Sequence, residues 1–160
     1  MSRAAGWMAS NLTMQGYCLS AAEQRALSLG LRFSTGVCLV LTAGALVVGS
    51  WIPFVALAGI GAVGFSARHP FDHIWNAAAR RLGGPGLPPS PARRRHAFKV
   101  ATAMMLIVGG LFAAGTELAA VVVGLLLLGA CATVTATNLC LPSLAMSLIA
   151  RRRHGEAVAT

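Results

Sequence analysis

Between Arg32 and Arg68 no residue carries a formal charge, and between Lys99 and Arg151 only Glu117 does. A helix crosses the ~30 Å hydrocarbon layer of a bilayer with about 20 apolar residues at 1.5 Å each. Each stretch is therefore too long for one crossing and must fold back once. The first breaks at Gly49-Ser50-Trp51-Ile52-Pro53, where proline suits a first helical turn, and the second at Gly115-Thr116-Glu117. Four spans are predicted, at about 33–49, 52–67, 98–115 and 118–141, within a membrane domain of residues 20–150 that includes a loop at 68–97. Residues 1–19 show no apolar period and are expected to be a mobile N-tail, and 151–160 a basic C-tail.

Local signals refine this outline. Ser20 and Glu23 have capping-box spacing, which satisfies orphan amides at a helix start. The predicted helix over 20–32 carries Arg25 and Arg32, has a bend available at Gly30, and runs along the interface into the first span. Gly59, Gly61 and Gly64 read as packing positions, because small residues let helices approach closely in lipid. In the loop, Gly83-Gly84-Pro85-Gly86 ends a helix and Leu87-Pro88-Pro89 forms a stiff strut. Ser90-Pro91 then restarts a helix, serine as cap and proline in the first turn. Pro142 predicts that the fourth span kinks or ends near Asn138 and turns Ser143 to Ile149 along the interface.

Charge sets the orientation. All 13 Lys and Arg residues fall ahead of the first span, in the loop or within two residues of its end, or in the C-tail. Cytoplasmic segments collect such residues, so the expectation is an all-α integral membrane bundle of four transmembrane helices, N-in and C-in, with interfacial helices on the cytoplasmic face. The net charge of +9 then points to anionic membrane lipid and not to nucleic acid. Gln15, Glu23, Gln24 and Arg25 interrupt any apolar core of a secretory signal. Cys18, Cys38, Cys131 and Cys140 form no CxxC and no metal-ligand spacing, and structural disulfides are not expected.

Three groups of residues could carry chemistry. His69, Asp72, His73 and Asn76 share one face at helical spacing, which suits acid-base or metal work; equally, Asp72 caps the short helix or pairs with a loop arginine, Asn76 satisfies backbone and His69 marks the membrane boundary. No metal is expected, since a fourth ligand is lacking. Cys140 falls near the inner boundary, level with Arg94, Arg95 and His69, where positive charge makes a thiol nucleophilic; as a small apolar residue it also suits a packed interior. The arginines at 80–81, 93–95 and 151–153 read as a headgroup-facing surface, or as an anion site at a helix start.

Three motifs in combination resemble those of small bacterial membrane proteins grouped as domain of unknown function 4395. They are His69-Pro70-Phe71-Asp72 with Asn76, then Leu87-Pro88-Pro89 with Pro91, Arg94-Arg95 and Ala97, and finally Cys140-Leu141-Pro142-Ser143, together covering about residues 15–150. The resemblance implies a multi-pass protein of the bacterial inner membrane with no established activity. It also implies rhodanese-like or thioredoxin-like partners, and therefore thiol or sulfur chemistry. Some relatives carry CxxC where this chain has Cys140 and Ser143, and Ser90, Arg93 and His96 stand where asparagine, proline and an aromatic are expected. Two functions fit. One is a non-enzymatic accessory or scaffold that binds lipid, a protein partner or a second copy through a basic cytoplasmic face. The other is a thiol-dependent sulfur-relay or small-anion transport component using Cys140, with His69, Asp72, Asn76, Arg94 and Arg95 converging around it. Neither requires a cofactor.

Overall fold

The computed structural model describes residues 3–145, and among these every regular element is a helix. The order is α1 (Arg3–Met14), α2 (Ala21–Val48), α3 (Trp51–Val63), α4 (Pro70–Arg81), α5 (Ala92–Ala113) and α6 (Glu117–Thr137), with a last helical turn at 141–145. The C-tail 151–160 and the interfacial run beyond residue 145 lie outside the described residues.

Helices α2, α5 and α6 hold 28, 22 and 21 residues. At 1.5 Å per residue they measure about 42, 33 and 32 Å. All three are long and apolar enough to cross a membrane. α3 is equally apolar but has 13 residues, about 20 Å, and stops at Val63 short of the expected 67. The bundle presents apolar side chains outward, with Val47 89% and Leu118 81% exposed. A helix apolar all round belongs in lipid or a large core, and this small bundle has no core large enough to cover them. The protein is thus a helical bundle of membrane type.

α3 packs on α5, and α6 on both α2 and α5. Their core is Ala45, Phe54, Leu57, Ala58, Met105, Val108, Ala120 and Leu127. Close approach needs glycine: a Cβ at Gly61 would stand 2.5 Å from Thr102 Oγ1, and one at Gly109 3.2 Å from Phe54 Cβ. These contacts run α3 antiparallel to α5. The turns at Gly49 and Gly115, both with positive φ, close one end. At the other end α1, α4, the 82–91 loop, the start of α5 and the end of α6 gather around a second cluster of Leu12, Tyr17, Leu27, Leu31 and Leu87.

Several expectations meet the structure directly. Ser20 and Glu23 form the capping box, and α6 ends at Thr137 with Asn138 left-handed at φ 57°. Others are corrected. The interfacial segment and first span are one continuous helix, α2; Gly30 is not a bend but a close-approach point, where a Cβ would meet Trp75 Nε1 at 2.6 Å. Ser90 does not cap α5: Pro91 holds the cap position, and the Ser90 amide donates to the Ala67 carbonyl at 2.7 Å. The N-tail is not without structure. Asn11 Nδ2 donates to the Thr137 carbonyl at 2.9 Å and Gln15 Nε2 to that of Asn138. The last carbonyls of a helix have no partner within it, so α1 is held by supplying donors to the end of α6.

Candidate functional site

At the α1/α4 end a cavity of about 110 Å³ opens between α2, α5 and α6. His69 reaches it from the start of α4. Its ring Nδ1 accepts from the Phe71 amide at 3.4 Å while its own amide donates to Asp72 Oδ2 at 3.1 Å. These reciprocal bonds form a capping box, which satisfies donors that a helix start leaves open. Fully buried and stacked on Phe98 at 4.7 Å between ring centroids, the imidazole leaves Nε2 without a partner. Burial pushes its pKa down to about 4; the Arg94 guanidinium adds to this and Asp72 opposes it. It is therefore neutral near pH 7.

Arg94 enters in the first turn of α5 and is only 5% exposed. It donates to the Tyr17 hydroxyl, to the Leu31 carbonyl at 3.1 Å and to Ser34 Oγ at 2.9 Å. None of the three acceptors is a carboxylate. A buried charge without a counter-charge is costly. Here the Tyr17 and Phe98 rings, 5.6 and 5.8 Å from the guanidinium carbon, offset part of that cost.

Of the predicted site residues, His69, Arg94 and Cys140 line the cavity together, whereas Asp72, Asn76 and Arg95 do not. Asp72 is buried behind His69 as its capping partner. Asn76 Oδ1 accepts from the Leu87 amide at 2.6 Å and fastens the loop to α4. Arg95 is half-buried and His73 is exposed. Asp72 thus acts as a helix cap and Asn76 as a partner of loop backbone, and no group of three His, Cys, Asp or Glu among the described residues has metal-holding geometry.

Sequence reasoning did not anticipate two further thiols. Cys38 from α2 and Cys131 from α6 line the same cavity as Cys140, and all three are free. Cys18 is exposed elsewhere. A signal existed for Cys38: Leu27, Leu31, Ser34 and Cys38 recur at helical spacing and form one inward stripe of α2. No comparable signal links Cys131 to Cys38, because their meeting depends on the packing of α2 against α6.

The sequence model of a protein family described as "Domain of unknown function (DUF4395)" matches residues 28–151. No curated protein and no solved structure matches the chain.

Proposed function

The chain belongs to the DUF4395 family, and from that premise we propose that it is a multi-pass inner-membrane protein whose inner-face cavity carries thiol-dependent sulfur transfer. The observation that carries this reading is the convergence of Cys38, Cys131 and Cys140 on one cavity with Arg94 and His69. An unreactive scaffold gives no reason for three thiols from separate segments to share a wall with a buried cation.

α3 serves as the fourth apolar segment, so that N-tail, loop and C-tail share the cytoplasmic side. Every basic residue up to Lys99 sits at the α1/α4 end or on the helix turns entering it, in keeping with cytoplasmic enrichment. Arg80 and Arg81 are exposed in the last turn of α4, where they meet anionic headgroups.

In the transfer step, the Cys140 thiolate attacks the outer sulfur of a persulfide on a partner protein. The partner's S–S bond breaks, its thiolate leaves, and Cys140 holds the sulfur as a persulfide. Cys131 or Cys38 takes it on by the same exchange. The test is incubation of the protein in nanodiscs with a protein persulfide donor, followed by mass spectrometry of each cysteine peptide. The added mass of one sulfur atom on Cys140, lost in Cys140→Ser, is expected. A chain that takes up no sulfur, and whose Cys140→Ser variant behaves as wild type in cells, leaves the accessory or scaffold function in its place.

A further inference from the structure

Three buried side chains on the wall of the cavity have hydrogen-bond donors to spare. A guanidinium has five N–H groups, and Arg94 uses three of them. The His69 Nδ1 accepts from the Phe71 amide, so the neutral ring carries its proton on Nε2, which has no acceptor. The Thr102 hydroxyl is also buried and without a partner. All three side chains line the cavity. A buried donor left unpaired is costly, and two of them beside a buried guanidinium whose hydrogen bonds to Tyr17, Leu31 and Ser34 all go to non-carboxylate acceptors point to a missing acceptor that carries negative charge.

We infer that the cavity is a binding site for one small, weakly hydrated monovalent anion, held by Arg94, His69 and Thr102. The inference rests on the sulfur-transfer reading for its biological use but not for its chemistry. The size of the cavity limits the ligand to a few heavy atoms: about 110 Å³ is less than the cavity of about 150 Å³ that admits benzene. Charge is limited to one unit, because the cost of stripping water from an ion rises with the square of its charge and the site offers a single cation. Weak hydration follows from the rest of the wall, which apart from Gln15 and Thr35 is apolar or sulfur-bearing, with Phe98, Met104, Met105 and Leu127 beside the thiols. Hydrosulfide belongs to this class and sulfate does not. The Asp72 carboxylate does not line the cavity: its Oδ2 accepts the His69 amide and its Oδ1 is buried without a partner, and its negative charge, which reaches His69, is a further reason for the limit to one unit.

Thiocyanate is the probe. Equilibrium dialysis of labelled thiocyanate against the full chain in phosphatidylcholine nanodiscs should give one saturable site per chain, which sulfate at equal ionic strength does not displace. Arg94→Gln should weaken it at least tenfold, and Thr102→Val several-fold, with Arg94→Lys intermediate. Absence of a saturable site in the wild type overturns the inference, as does displacement by sulfate. Because Arg94 also braces Tyr17 and α2, Arg94→Gln could fail to fold; in that event Thr102→Val binding with wild-type affinity overturns the assigned donor set. A wild type that binds thiocyanate but accepts no sulfur sinks the relay and keeps the anion site, and sulfur uptake without saturable thiocyanate binding does the reverse.

Discussion

Replacing Asn76 by alanine tests whether the loop between α4 and α5 is held in place by one side chain. Asn76 Oδ1 accepts the Leu87 amide at 2.6 Å, and both residues are buried, at 6% and 5% exposure. Alanine leaves that amide without an acceptor in a site that water does not reach, which costs about 1–3 kcal/mol. At about 1.4 kcal/mol per tenfold, the opening equilibrium of the loop should rise about 5- to 140-fold. Leu87 also belongs to the cluster that holds α1 and α2, so the loosening should extend to Tyr17, one of the partners of Arg94. Hydrogen exchange of the protein in nanodiscs reads this directly: amides over 83–91 should exchange faster by that factor in Asn76→Ala. Ile74→Ala, at a position 56% exposed on the same helix, should leave them unchanged. Unaltered exchange at Leu87 in Asn76→Ala refutes the idea that this bond holds the loop.

Gly64→Ala drives a Cβ into His69 Cδ2, whereas Gly59→Ala meets nothing within 4 Å. The first should lower stability by about 1–3 kcal/mol through overpacking, and the second should not, as checked by thermal unfolding in detergent. His69 should make stability depend on pH. The unfolded ring protonates near 6.5 and the folded one near 4, so its contribution is complete above pH 6.5 and is lost as pH falls toward 4. At 1.36 kcal/mol per pKa unit the loss is roughly 3 kcal/mol; His69→Gln should flatten that slope, and an identical slope in the variant argues against it. Single cysteines at residues 85 and 116, placed in a background without native thiols, should react with an impermeant reagent from opposite sides of the membrane, residue 85 from the cytoplasmic one; labelling of residue 85 from outside overturns the orientation.

What the sequence determined by itself is what short-range physics decides. Uninterrupted apolar runs demand helices in lipid, whose backbone must bond within the segment, and glycine, serine and proline mark where those helices stop. The capping box at Ser20 and Glu23, the turn at Gly115 and the end of α6 at Asn138 are all settled within four residues of themselves. The tertiary structure decided everything that needed a partner far along the chain. α1 carries no readable apolar stripe because its anchors are polar, Asn11 and Gln15 bonding to carbonyls at 137 and 138. Ser90 lost its cap role once its amide found Ala67. Only the packing of α2, α5 and α6 could bring Cys38 together with Cys131 and Cys140 at the cavity where Arg94 is buried, because side-chain direction repeats along one helix but the rotation of one helix against another is set by the surfaces between them.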